Sequence, residues 1–132
     1  MKNKILETTK YILLYLWQLP QHLLGLLIIL VTKGETKHKL HNITYYYYDP
    51  FPGGISLGDY MIIGTHWDKT VRHEFGHSIQ SKILGWFYLP SVGICSGLHA
   101  ATYEWRLKKG WVKSYYDYWT EKWADKLGKV KR

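Results

Sequence analysis

The chain predicts a small α+β domain, mostly helical, in which a short β-hairpin or sheet precedes a histidine-bearing helix. An apolar helical segment leads into it. Three observations carry this. Residues 11–31 (YILLYLWQLPQHLLGLLIILV) hold no formal charge when His22 is neutral. Two β-branched and aromatic runs, ITYYYY and ISLGDYMIIG, flank the turn sequence DPFPGG. Helix-length segments bounded by glycine and proline follow. A chain of 132 residues is one domain plus one appended segment. The boundary is placed so that residues 1–34 form the segment and 35–132 the domain.

Residues 1–10 are polar and mostly basic. Residues 11–31 have about the length that a bilayer crossing needs. Gln18, Pro20, Gln21 and His22 interrupt their centre, and Pro20 breaks or kinks a helix there. Each half, 11–19 and 20–31, is too short to cross alone. Three readings stay open: a kinked spanning helix, two short helices in the membrane interface, or a buried helical hairpin. Membrane association through residues 11–31 is the expectation. A cleaved signal peptide fits less well, because Glu7 dilutes the basic start and no small-x-small site follows Val31. Lys2, Lys4 and Lys10 balance Lys33, Lys37 and Lys39, so the charges set no orientation.

Residues 32–42 read as a polar linker, with His38 and His41 solvated. Residues 43–48 and 55–64 read as two strands of an antiparallel hairpin, the second interrupted or bulged at Gly58. Asp68 is the expected N-cap of a helix reaching about Leu84, which Gly85 ends. Residues 87–105 contain a second apolar stretch, helical from Pro90 or Ser91 onward. Residues 106–110 form a basic turn. Ser114 caps a last helix, and Gly128 stops it.

The net charge of +8 suits an anionic surface, lipid headgroups or nucleic acid, as well as a plain solvated cationic face. No zinc knuckle or RNA-recognition pattern is present, so no specific nucleic acid is expected. The single cysteine, Cys95, excludes an internal disulfide. It fits a reducing compartment and slightly favours the cytoplasmic face. Its apolar run marks it as a buried, inert thiol.

The chemistry concentrates in VRHEFGHSIQ, residues 71–80. Residues four apart share a helix face, so His73 and His77 can offer two imidazoles to one tetrahedral ion. Glu74 then sits beside the ion, placed to take a proton from a zinc-activated water and pass it to a leaving amine. Gly76 is kept against helix propensity, which signals close packing. A catalytic zinc needs three protein ligands and an open position. Glu121 and Asp125, again four apart, can supply the third ligand and a hydrogen bond to the free nitrogen of a zinc-bound histidine, His73 in particular. The ordinary alternative is a solvated acidic face opposite Lys122 and Lys126, which Asp117 would extend by one turn.

His-Glu-x-x-His on one helix and Glu-x-x-x-Asp on a later one resembles the gluzincin metallopeptidases, the thermolysin-like clan. The resemblance covers roughly residues 68–84 and 114–127. The chain also looks like a group of small bacterial metallopeptidase-type proteins with an H-E-[FY]-G-H-x-x-Q helix and a terminal T-E-x-x-A-D-x-L-G-G-V. It departs from that pattern at Lys129, where glycine is usual. The resemblance implies a zincin-like domain with zinc held by His73, His77 and Glu121, Glu74 as general base and Asp125 behind a ligand. It also implies peptide or protein substrates, bound by backbone pairing to an edge strand; the candidates are Tyr60 and Ile62. Gluzincins carry an oxyanion-stabilising histidine or tyrosine after the glutamate. Here no histidine follows Glu121, and Tyr115, Tyr116 and Tyr118 precede it. His66 reads as a turn histidine, and His22 and His99 as structural ones.

An intramembrane protease is disfavoured, because Asp68, Lys69, Arg72 and Lys82 make the helix too polar for lipid. A deformylase is disfavoured because Cys95 lies in ICSG, the wrong context for a ligand. The alternative from another class is a non-enzymatic, membrane-anchored binding protein with a structural zinc site.

Overall fold

A computed structural model describes residues 1–32, 36–40 and 42–132. The boundary set at residues 34 and 35, Lys33 and His41 lie outside the described residues. The architecture is α+β and mostly helical, with five α-helices and a four-stranded sheet among the described residues.

Helix α1 (Lys2–Trp17) takes in the polar start of the chain as well as the first apolar half. It ends at Gln18, and α2 (Leu19–Val31) begins with Pro20 in its first turn, where a missing N–H costs nothing. The two helices meet at 80°. The break is also a docking point. Gln18, Gln21 and His22 are fully buried, and Gly25 of α2 lies against Leu57 and Tyr60.

The segment 32–42 is not all linker. Lys37–Leu40 forms β1, paired antiparallel with β2 (Ile43–Tyr47). His38 is correspondingly half-buried rather than fully solvated: its ring packs on Tyr45, Tyr47 and His66. The expected hairpin of the two downstream runs is corrected as well. β3 (Gly54–Leu57) pairs antiparallel with β4 (Tyr60–Ile63), and β4 pairs parallel with β2, giving the order β1-β2-β4-β3. The physical reason is the two-residue turn at Gly58-Asp59. Gly58 adopts φ +68, so it closes the hairpin rather than bulging a strand. DPFPGG becomes the connection that carries the chain past the end of β4.

Helix α3 (Asp68–Leu84) covers one face of the sheet. Val71 joins Ile43, Tyr45, Met61 and Ile63 in the core, with Phe75 packed alongside. Trp67, not Asp68, holds the N-cap position; Asp68 is the first helical residue and its carboxylate accepts from Arg72 Nε at 2.8 Å. Gly85 ends the helix with φ +54. A 3₁₀ turn (Gly85–Phe87) and a π turn (Leu89–Gly93) lead into α4 (Ile94–Lys108). Ser114 caps a short 3₁₀ turn (Tyr115–Asp117) rather than the last helix, and α5 (Trp119–Leu127) starts later. Asp117 is therefore exposed and does not extend the Glu121 stripe.

Helix α5 ends in a Schellman motif: Val130 N–H donates to Asp125 O at 2.8 Å and Lys129 N–H to Lys126 O at 3.3 Å. The left-handed residue is Lys129, φ +56, and not Gly128. Among the described residues no single helix is long and apolar enough to cross a membrane.

Candidate metal centre

Helices α3 and α5 pack directly on each other, and Gly76 makes this possible. A Cβ there would stand 1.9 Å from the Ala124 carbonyl oxygen. The close approach brings Glu121 and Asp125 against the two histidines. Glu121 Oε2 lies 3.0 Å from His73 Nε2 and 3.1 Å from His77 Nε2. All three atoms fall within 4.8 Å of one another, and all three residues are buried. A tetrahedral ion with bonds of about 2.0–2.1 Å separates its ligands by about 3.3 Å, so the spacing fits.

The outer nitrogens are pinned. His73 Nδ1 is 2.7 Å from Asp125 Oδ1, and His77 Nδ1 is 2.7 Å from Gln80 Oε1. The Gln80 amide is itself oriented by donating to Thr120 O at 2.9 Å. Asp125 is fixed by the fork of Arg132, Nε to Oδ2 at 2.6 Å and Nη2 to Oδ1 at 2.9 Å. Both partners of Nδ1 are acceptors, so each Nδ1 carries a proton and each Nε2 is left to hold either a second proton, shared with Glu121, or a metal ion. Two imidazole nitrogens and a carboxylate oxygen thus converge on one buried point. Such an arrangement is repulsive until a cation, metal or proton, sits among them.

The electrostatics follow that logic. Burial alone would raise the Glu121 carboxyl, but hydrogen bonds from His73 and His77 hold it well below the usual carboxylate range. Burial alone would lower His77. The hydrogen bond to Glu121, followed by the charge of Glu74, overrides this and pushes it up to about 9. The protein is therefore built to hold positive charge here. Thr120 Oγ1 donates to Glu121 Oε1 at 2.9 Å and accepts from Ser96 Oγ at 2.8 Å, which orients the carboxylate.

Glu74 packs on β3. Ser56 Oγ lies 2.9 Å from Glu74 Oε2 and 2.6 Å from its carbonyl oxygen. Gly54 leaves room for the side chain; a Cβ there would meet Glu74 Cγ at 2.5 Å. Tyr116 meets His73 edge-on at 5.2 Å, and Arg132 covers its ring, Cζ 3.1 Å from the centroid. Burial first, and then Glu121 and Glu74, push the Tyr115 hydroxyl up, so it keeps its proton.

The structure thus brings together His73, His77, Glu121 and Asp125, with Glu74 on the same helix. One sequence expectation is overturned. Tyr60 and Ile62 are not on an edge: β4 lies between β2 and β3, and Ile62 is 1% exposed. Among the described residues the edge beside Glu74 is β3. Sequence reasoning missed Gln80, Ser56, Thr120, Ser96 and Arg132. Only Gln80, three residues after His77, carried a periodic signal. His99 is structural as expected, buried and bonded to Tyr115 O at 2.7 Å. Cys95 is half-buried. Comparison with protein-family models, with curated proteins and with solved structures finds no match to this chain.

Proposed function

We propose that the chain is a zinc-dependent peptidase of gluzincin type that works at a membrane surface. The observation that carries this reading is the convergence of His73 Nε2, His77 Nε2 and Glu121 Oε2, with both outer histidine nitrogens pinned by acceptors. Two imidazoles and one carboxylate are a donor set that suits zinc. Zinc bound there supplies Lewis acidity and a water whose pKa falls to about 7. Glu74, held by Ser56, would serve as the general base toward a water activated there and would return the proton to the leaving amine. Peptide substrate would approach the outer strand β3 at Gly54 and Ile55, beside Glu74; further along, the Ser56 carbonyl already accepts from the Tyr88 hydroxyl at 3.1 Å. Residues 11–31 attach the domain to lipid, and the single cysteine favours its cytoplasmic face.

One observation favours a second reading, a structural zinc site in a non-enzymatic, membrane-anchored binding protein. The His73–His77–Glu121 group is nearly closed, at 5%, 6% and 1% exposure. Two surface clefts, one around His99 and Trp111 and one around Gly58 and Phe75, do not include it.

Glu74→Gln separates the readings. Purified protein and variant are assayed for bound zinc and for cleavage of a quenched-fluorescent peptide mixture. A peptidase keeps its zinc and loses at least about 100-fold in turnover, the scale of general-base catalysis. Zinc retained with no cleavage by either protein supports the structural site. Protein that binds no zinc at all sinks both.

A further inference from the structure

We propose that residues 83–105 form a second lipid-contacting element, which joins α1 and α2 in one re-entrant membrane unit. The inference rests on the reading of residues 11–31 as membrane-bound, and concerns a different part of the chain. Its occupant is the bilayer.

The first observation is an unpartnered apolar surface. Ile83, Trp86 and Phe87 are 54%, 56% and 68% exposed at the end of α3 and in the turn after it. On α4, Ile94, Leu98, Ala101 and Trp105 follow at helical spacing, and all are exposed. Such a stripe is unusual on a surface facing water.

The second observation says what covers it. A chain that breaks its helices in lipid must satisfy the freed backbone carbonyls internally, with no water to fall back on. Here the carbonyls at the two breaks find side-chain partners, some local and some from the other break, while Gln21 Oε1 and His22 Nε2 in the same cluster have no hydrogen-bond partner among the described residues. At the end of α1, Leu14 O accepts from Gln18 Nε2 at 3.2 Å, Tyr15 O from His22 Nδ1 at 3.0 Å, and Leu16 O from Trp86 Nε1 at 2.9 Å. At the end of α3, Lys82 O accepts from Trp17 Nε1 at 2.9 Å and Gly85 O from Gln21 Nε2 at 2.7 Å. Ser81 Oγ donates to Gln18 Oε1 at 2.7 Å and accepts from Gln21 Nε2 at 3.0 Å. Trp17 and Trp86 exchange bonds across the two bends, each on the other's helix end.

The third observation is composition. Two helix pairs reach membrane length and apolarity only together: Lys2–Trp17 with Leu19–Val31, bent by 80°, and Asp68–Phe87 with Leu89–Lys108, bent by 112°. The far end of α4 then carries Trp105 and Trp111 in ring contact at 4.9 Å, with Lys108, Lys109 and Lys113 beside them. Tryptophan with lysine is the composition of a headgroup belt. The polar start of α3, with Asp68, Lys69 and Arg72, stays in water. The metal centre between α3 and α5 would then lie just outside the hydrocarbon, facing membrane-proximal peptide.

The test uses the full chain in a Cys95→Ser background, with single cysteines at Leu24, Leu98 and Lys69 carrying a nitroxide. The protein is bound to phosphatidylcholine–phosphatidylglycerol vesicles. Collision with oxygen is compared with collision with a water-soluble nickel chelate. The expected result is oxygen-dominated collision at Leu24→Cys and Leu98→Cys and nickel-dominated collision at Lys69→Cys. Nickel access at Leu98→Cys with Leu24→Cys in lipid overturns this inference and leaves the attachment through residues 11–31 standing. Nickel access at both overturns both. A Leu98→Cys label shielded equally without vesicles, with spin–spin broadening that grows with protein concentration, assigns the stripe to a second copy and also overturns it. Phe87→Cys repeats the measurement on the turn should Leu98→Cys fail to fold.

Discussion

Gly76→Ala tests whether the α3–α5 contact sets the metal centre. The added Cβ would stand 1.9 Å from the Ala124 carbonyl oxygen, and real Cβ contacts do not fall below 3.0 Å. The obstacle is backbone in a helix, with no flexible end to swing away. The helices must therefore part locally by at least about 1.1 Å (3.0 minus 1.9). Ala124 lies between Glu121 and Asp125, so both carboxylates move with it. Metal–ligand distances tolerate about 0.2 Å, so a shift of this size detaches Glu121 or distorts the site. Two stability effects oppose each other. Alanine improves helix propensity by about 1 kcal/mol, while overpacking costs about 1–3 kcal/mol. The clash is against fixed backbone, so overpacking wins and Tm falls. Zinc affinity falls by at least about 100-fold, the upper end of what losing an outer partner costs. Competition against a chromophoric chelator measures the affinity, and thermal unfolding with and without zinc measures stability. A variant with unchanged zinc affinity and a raised Tm would refute the argument that Gly76 exists to bring α5 to the histidines.

Two further outcomes follow from the same geometry. His77 is pushed up to about 9 from its ordinary 6.5, so in chelator-treated protein the stability it contributes is fully present below about pH 6.5. That contribution is lost as pH rises through 9, and zinc, taking the place of the proton, stabilises more as pH rises. Unfolding curves of chelated and zinc-loaded protein from pH 6 to 9.5 check this, and a chelated Tm that climbs over that interval contradicts it. Lys129→Gly relieves a left-handed lysine at φ +56 and is expected to raise stability by about 1 kcal/mol without changing zinc affinity, measured by urea unfolding.

The sequence by itself determined what helical periodicity can reach. Spacing of four placed His73 with His77 and Glu121 with Asp125, and Pro20 announced a break in the apolar run without deciding between a kinked helix and two separate ones. Gly76, poor for a helix, announced a close neighbour but not which one. Tertiary structure decided the rest, because the rest joins residues distant in the chain. The parallel pairing of β2 with β4 moves the edge from β4 to β3. Both are four-residue stretches of the same apolar segment, and nothing local in them distinguishes an edge from an interior strand. Ser56 and Gly54 become neighbours of Glu74 only through that pairing. Gln18, Gln21 and His22 look like flaws in an apolar segment when read alone. They are the groups that satisfy one helix end and bind another, and that role exists only once the two bends meet. Hydrogen-bond partners across a fold leave no periodic trace in sequence, whereas partners within a helix do.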